Sequence, residues 1–155
     1  MSRSLEIVTT IADLRAAVAA WRMNNLSIGL VPTMGALHEG HFSLVERSVA
    51  ANDCTCVTIF VNPRQFGPGE DFDEYPRDQE ADKRALADHQ VDLLFAPTIK
   101  EMYPDGFVTR VSVAGIGDLL EGAFRPGFFD GVATVVSKLL IQSLPDRAYF
   151  GEKDY

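Results

Sequence analysis

One apolar run constrains the fold of this chain more than any other feature of its sequence. Residues 55–61, Thr-Cys-Val-Thr-Ile-Phe-Val, are almost continuously apolar and rich in β-branched side chains. Such a run is typical of a central strand in a parallel sheet, because helices cover both faces of that sheet. Parallel neighbours need long crossover connections, so the run predicts helices before and after it in the chain.

The remaining sequence supplies those helices in alternation with further strands. Turn residues and hydrophobic periodicity predict strands at residues 5–8, 27–31, 91–96, 109–113 and 147–150. They predict helices at about 11–24, 37–52, 78–89 and 132–141, with a turn at 101–105 and a loop at 115–127 that holds at most a short helix at 118–121. This alternation predicts a single α/β domain over residues 1–155, a doubly wound parallel sheet in three layers, α/β/α.

Charge and cysteine usage narrow the class of protein. The net charge of −8 argues against nucleic acid or anionic membrane as a partner, because both need basic patches. Cys54 and Cys56 stand two apart on one strand, so we expect buried thiols and a reducing compartment. The N-terminus lacks the apolar core of a signal peptide, and no apolar run approaches the ~20 residues of a membrane span. These features predict a cytoplasmic protein.

A His-x-Gly-His turn lies between the predicted strand at 27–31 and the helix that follows it. If the helix begins near Leu37, His38 and His41 share one face of its first turn, beside unpaired backbone N–H groups. The positive end of the helix dipole and two imidazoles suit a polyphosphate, and Gly35 and Gly40 allow a close approach. The alternative is that both histidines only cap a helix at the surface.

Two more polar clusters follow predicted strands, at residues 62–65 and 151–154. In doubly wound sheets ligands bind outside the carboxyl ends of the strands, so these clusters and the His-x-Gly-His turn predict one composite site. Lys153 would neutralise phosphate, and the amides of Asn62 and Gln65 suit a hydroxy acid or carboxylate. Each cluster alone also fits a plain strand terminator or an exposed turn.

An acidic segment at residues 67–82 is interpreted as a solvated loop that leads into a helix. A metal-ligand role for Asp78 or Asp82 is the weaker alternative. His89 lies near the end of that helix, where the dipole favours a cation, and is interpreted as structural.

Together these motifs resemble the pantothenate synthetase (pantoate-β-alanine ligase) family of the His-x-Gly-His nucleotidyltransferase superfamily, and the resemblance runs over residues 7–155. It rests on Val-Pro-Thr-Met-Gly-Ala-Leu-His-Glu-Gly-His at 31–41, Phe-Val-Asn-Pro-Arg-Gln-Phe at 60–66, Tyr-Pro-Arg at 75–77, Gly-Val-Ala-Thr-Val-Val at 131–136 and Phe-Gly-Glu-Lys-Asp at 150–154. The resemblance implies a Rossmann-like fold, the substrates ATP, pantoate and β-alanine, Mg²⁺, and a homodimer. It also implies a pantoyl-adenylate intermediate with release of pyrophosphate and AMP.

The resemblance assigns roles by position. It implies ATP binding by Pro32, Thr33, Met34, Gly35, His38, Gly40, His41, Gly151, Glu152, Lys153 and Asp154. Gln65, Asn62 and Met34 would hold pantoate or receive β-alanine, and His38, His41 and Lys153 would be catalytic. The family assigns His41 as proton donor, but adenylation moves no proton, so stabilisation of phosphate charge is equally open. The ligands of Mg²⁺ stay open, with Asp82 as the candidate.

Two departures from the family pattern affect these expectations. Phe128 stands where the family has histidine. Family members are nearly twice as long, with a C-terminal domain that closes over the ATP phosphates. We therefore expect an N-terminal nucleotide- and pantoate-binding domain with little ligase activity of its own. Another nucleotidyltransferase of the superfamily and a noncatalytic binding or dimerisation module are the alternatives.

Overall fold

The computed structural model describes residues 4–115, 119, 121–125 and 127–154. Within them, one sheet of five parallel strands has the order β1-β4-β3-β2-β5. The strands are β1 Glu6–Val8, β2 Ile28–Thr33, β3 Cys54–Ile59, β4 Leu93–Phe95 and β5 Arg147–Ala148. The predicted parallel α/β sheet is thereby confirmed.

The apolar run forms the central strand, as predicted. Every residue of β3 is buried, between β4 on one side and β2 on the other. Cys54 and Cys56 are both reduced and buried. Burial, with a smaller contribution from Asp92, raises the pKa of Cys56 to about 12, so this thiol stays protonated.

Helices cover both faces of the sheet. They are α1 Ile11–Met23, α2 Glu39–Ala51, α3 Gln79–Asp88, α4 Ile99–Met102, α5 Glu121–Phe124 and α6 Phe128–Ser143. On one face, Leu14 of α1 and Leu139 of α6 pack in a core cluster with Leu30 of the sheet. On the other, α2 and α3 supply Val45 and Leu86 to a second cluster. The predicted three layers are therefore present, and no helix within the described ranges is long and apolar enough to cross a membrane.

Strand β2 runs through Pro32 to Thr33, beyond the predicted end at residue 31. Tyr149 N donates to Leu30 O, so the even-numbered residues of β2 turn their main-chain groups toward β5. The next bond of this parallel ladder would require an N–H from Pro32, which proline lacks. Pairing between β2 and β5 therefore ends there, next to the clusters that follow both strands.

Two predictions for the second half of the chain were wrong, and a third lies mostly outside the described residues. Residues 109–113 form no strand: Val111 N donates to Thr134 Oγ1 of α6, so this segment lies over a helix instead of beside a strand. Part of the predicted turn at 101–105 belongs to α4, which Thr98 caps through Glu101 N. The predicted short helix at 118–121 falls mostly outside the described residues; α5 begins at its last position.

Candidate functional site

The three polar clusters follow three adjacent strands. The His-x-Gly-His turn follows β2, the 3₁₀ turn Pro63–Gln65 follows β3, and the 3₁₀ turn Glu152–Asp154 follows β5. β3 and β4 continue from β2 in one direction, whereas β5 lies on its other side. The carboxyl ends of β2 and β5 therefore form the topological switch point, where open α/β sheets bind ligands.

Helix α2 begins at Glu39, two residues later than predicted. His38 is its N-cap, with extended backbone, and its Nδ1 accepts from Gly40 N at 3.1 Å. His41 Nδ1 accepts in turn from His38 N at 3.3 Å, and the two ring centroids lie 4.2 Å apart. The histidines thus form a reciprocal capping box, which is the geometry of the capping alternative.

This capping does not remove the histidines from ligand chemistry. A neutral imidazole that accepts through Nδ1 carries its proton on Nε2, so His38 and His41 each keep an Nε2–H donor. Partial burial lowers the pKa of His41, and the nearby His38 and Lys153 lower it further. At neutral pH His41 is therefore an uncharged hydrogen-bond donor.

Asp82 holds the turn that precedes these histidines. It is 6% exposed, and its carboxylate oxygens accept from Ala36 N and Leu37 N, each at 3.0 Å. Gly35 and Ala36 adopt left-handed backbone, so the turn itself depends on this anchor. The expectation of unpaired amides was therefore wrong for Ala36, Leu37, His38 and Gly40, whose N–H groups the chain already binds.

The structure also corrects the interpretation of Asp82 as part of a solvated face. Its two oxygens serve main-chain amides, which leaves the weak alternative of a metal ligand without support from the geometry. Among the described residues, no group of three or more His, Cys, Asp or Glu side chains could hold a metal ion. Asp78 caps α3 through Ala81 N, and His89 stacks on Phe42 with ring centroids 4.4 Å apart.

We expect Asp82→Ala to lower the free energy of unfolding by about 3 kcal/mol, because two partly buried amides lose a charged acceptor. Urea denaturation measures this loss, and ATP affinity should fall with it as the turn relaxes. Glu80→Ala is the control, since Glu80 is exposed in the same helix and pairs with Lys83. It should change stability by less than about 0.5 kcal/mol. Equal effects of the two substitutions would contradict an anchoring role for Asp82.

Asn62 is 1% exposed, and its side chain forms hydrogen bonds with other groups of the protein. Its Nδ2 donates to Gln65 Oε1 and Gly131 O, and its Oδ1 accepts from Tyr103 Oη and Arg64 N. These bonds use all of its hydrogen-bonding positions and support the side chain of Gln65, whereas direct contact of Asn62 with a ligand stays a prediction. Gln65 Nε2 has no partner within the described part of the chain.

The segment after β5 brings a cation to the histidines. Asp154 N donates to Gly151 O at 2.9 Å and closes the turn, and Lys153 is exposed on it. Its charge is close enough to lower the pKa of His41, so the turn after β5 lies near the turn after β2. The sequence prediction of one composite site agrees with this juxtaposition.

Phe128 replaces the expected histidine, but its loop still contacts the site. Arg125 lies over the Phe128 ring at 4.0 Å and donates to both carboxylate oxygens of Glu70. It also donates to Gln65 O at 3.1 Å. Arg125 therefore connects this loop and the acidic segment to the Pro63–Gln65 turn.

Sequence reasoning missed Tyr103 and the anchoring role of Asp82. Tyr103 lies in the segment predicted as a plain turn, and its contact with Asn62 spans 41 residues. The bonds that Asp82 accepts from the His-x-Gly-His turn span about as many residues. No local pattern signals a contact of that separation.

A doubly wound parallel sheet with a His-x-Gly-His turn and a lysine at its switch point defines a domain of the nucleotidyltransferase-like fold. Within that class, the family model for pantoate-beta-alanine ligase matches residues 6–155. The chain therefore belongs to the pantoate-beta-alanine ligase family.

Several relatives and solved structures support this assignment. A pantothenate synthetase from Paramagnetospirillum magneticum is 59% identical over 155 residues, which cover 100% of this chain and 55% of the relative. The crystal structure of pantothenate synthetase from Thermus thermophilus has a TM-score of 0.91 at 55% identity, over 97% of this chain and 53% of that one. A Francisella tularensis pantoate-beta-alanine ligase, complexed with beta-gamma ATP and beta-alanine, has a TM-score of 0.92 at 43% identity, over 98% and 58% of the two chains. The chain thus spans about half the length of the proteins it matches.

Proposed function

We propose that this chain is the nucleotide- and pantoate-binding domain of an enzyme that condenses pantoate with β-alanine at the expense of ATP. The observation that carries the proposal is the meeting of two kinds of group at one sheet edge. His38, His41 and Lys153 suit phosphate oxygens, and Gln65 after the next strand offers an amide to a second ligand. The Francisella tularensis relative was solved with beta-gamma ATP and beta-alanine, which agrees with such a pair of subsites.

The proposed reaction has two steps. A carboxylate oxygen of pantoate attacks the α-phosphorus of ATP, and the bond to the β-phosphate breaks, which yields pantoyl adenylate and pyrophosphate. The amine of β-alanine then attacks the acyl carbon, loses a proton and displaces AMP. In the first step negative charge develops on phosphate and no proton is transferred. The donors at His38 and His41 and the cation of Lys153 therefore act by electrostatic stabilisation.

ATP contacts are proposed along both turns of the switch point, from Pro32 to His41 and from Gly151 to Asp154. Thr33 is already occupied, since its hydroxyl donates to Thr58 O and accepts from Gly35 N, so it shapes the turn. Met34 is half-buried between the turn and the strand end and is proposed to contact both ATP and pantoate. Mg²⁺ commonly binds substrate phosphates with one or two carboxylates, and we propose that it arrives with ATP and neutralises phosphate charge.

The test is the exchange of labelled pyrophosphate into ATP, measured with and without pantoate. The protein expressed from its complete reading frame should exchange label only when pantoate is present, because the adenylate forms reversibly. The 155-residue chain should bind ATP but exchange slowly, since about half of each relative's length lies outside it.

Other outcomes of this assay support the alternatives. Exchange that depends on a different acid would indicate another nucleotidyltransferase of the same fold. ATP binding without any exchange from the complete reading frame would indicate a noncatalytic binding module. Either result would contradict the proposed ligase.

We further propose a cytoplasmic homodimer, as the family resemblance implies. Ile141 and Leu144 at the end of α6 are exposed apolar side chains that a second copy would cover. Sedimentation equilibrium measures the oligomeric state. A monomer at micromolar concentration would contradict the proposed dimer.

A further inference from the structure

A chain of hydrogen bonds runs behind Gln65 into the protein. Tyr103 Oη donates to Asn62 Oδ1 at 2.8 Å, and Asn62 Nδ2 donates to Gln65 Oε1 at 2.9 Å. Tyr103 follows α4, whose Met102 is fully buried. A residue remote in sequence therefore controls how the Gln65 amide is held.

The direction of these bonds is determined by the main chain. Arg64 N can only donate, so it requires the oxygen of Asn62, and Gly131 O can only accept, so it requires the nitrogen. With Asn62 oriented in this way, its Nδ2 takes the oxygen of Gln65. The Nε2 of Gln65 then keeps two donor hydrogens, and a ligand bound there must supply acceptor oxygens.

The ring of Tyr103 is held on both sides, which keeps its hydroxyl in place. Arg64 Cζ lies 4.3 Å from the ring centroid, and the Phe107 ring packs edge-on at 5.3 Å. Burial raises the pKa of Tyr103 above its usual value. The hydroxyl therefore remains a protonated donor throughout the neutral range.

We propose that Tyr103 is a positioning residue for the hydroxy-acid subsite: through Asn62 it holds Gln65 so that Nε2 donates to an acceptor oxygen of the bound acid. This assignment rests on the proposed function, and it makes a narrower claim. Loss of the Tyr103 hydroxyl should weaken the binding of pantoate while ATP binding, at the turns after β2 and β5, stays as it was.

The experiment compares Tyr103→Phe, Gln65→Ala and the double variant in pantoate-dependent pyrophosphate exchange, with protein from the complete reading frame. Tyr103→Phe should raise the KM for pantoate about five- to tenfold, the expected effect of one lost hydrogen bond. The KM for ATP and kcat should stay within about twofold. In the Gln65→Ala background, Tyr103→Phe should add less than about twofold, because the two residues act through one contact.

Tyr149→Phe is the matched control. The Tyr149 hydroxyl accepts from Asn52 Nδ2 at 2.9 Å, so this variant also breaks a tyrosine–asparagine hydrogen bond, but one remote from Gln65. It should leave the KM for pantoate unchanged. Thermal unfolding of every variant separates a loss of fold from a loss of binding.

Gln65→Glu tests the direction of the amide without touching Tyr103. A carboxylate presents only acceptors to the acid, so the KM for pantoate should rise by more than about 100-fold. Wild-type affinity in this variant would overturn the inference, as would independent effects of Tyr103→Phe and Gln65→Ala or equal changes in the KM of ATP and pantoate. If unmodified protein shows no pantoate-dependent exchange, the proposed function itself fails, and this assignment fails with it.

Discussion

Gly131→Ala is expected to destabilise the protein by at least about 3 kcal/mol, although alanine is the better helix former. Gly131 lies inside α6, where helix propensity alone predicts a gain of about 1 kcal/mol. A Cβ at this position would overlap Arg64 O and lie 2.6 Å from Arg64 C. These are main-chain atoms of the Pro63–Gln65 turn, so either the turn or the helix must move.

The displacement should reach the ligand site, because Gly131 O also accepts from Asn62 Nδ2. We therefore expect pantoate binding to fall together with stability. Urea denaturation gives the free energy of unfolding, and calorimetric titration gives the affinity.

Gly67→Ala provides the comparison for Gly131→Ala. Gly67 lies just beyond the same turn, and its nearest neighbour to an added Cβ is Glu70 Oε1 at 3.7 Å, an ordinary contact. The free energy of unfolding of Gly67→Ala should differ from that of the parent by less than about 0.5 kcal/mol. A Gly131→Ala protein as stable as the parent would show that α6 does not pack on the Pro63–Gln65 turn as closely as the structure indicates.

His41→Ala should lower the rate of pyrophosphate exchange by about 10²- to 10³-fold, the usual effect of removing one donor from a developing oxyanion. It also removes the acceptor for His38 N, which should cost about 1 kcal/mol of stability. The control is His89→Ala. His89 is the C-cap of α3, and its ring stacks on Phe42 of α2. That variant should exchange label at the parent rate.

The pH dependence of exchange distinguishes the two roles open to His41. Partial burial, His38 and Lys153 lower the pKa of His41 below the usual value of about 6.5, so the neutral form prevails at pH 7. If neutral His41 is the active form, the rate is constant above that pKa and falls as the pH drops through it, because a proton on Nδ1 breaks the bond from His38 N that holds the helix start. If it acts as a proton donor, the rate instead falls as the pH rises through the same pKa. We expect the first profile, and the second would establish acid catalysis.

The sheet was largely predictable because its evidence is local. The apolar run of β3 and the hydrophobic periodicity of α1 each depend on residues near in sequence. The false strand at 109–113 shows the limit of such evidence. Alternation of apolar and polar residues shows only that a segment has one buried and one exposed face. Here Val111 N donates to Thr134 Oγ1 of α6 and not to a neighbouring strand.

The candidate site was predictable in its location and only partly in its roles. The rule for strand ends brings His41, Gln65 and Lys153 to one edge without any knowledge of side-chain contacts. The structural bonds of Asn62 and Asp82 were not predicted, since both side chains turn inward to main-chain and side-chain partners.

The sequence by itself determined a doubly wound parallel sheet, the family to which the chain belongs, and the edge of the sheet where the candidate site lies. These conclusions depend on periodicity and on contiguous motifs, which the linear order of residues contains in full. Only the tertiary structure decided which polar groups remain available to a ligand. His38 and His41 use Nδ1 at the helix start and keep Nε2, and the bonds from Tyr103 through Asn62 occupy the Oε1 of Gln65 and leave its Nε2 to a ligand. Each side chain can make only a few hydrogen bonds. Whether the chain itself uses them depends on residues that are far apart in sequence and that only folding brings together.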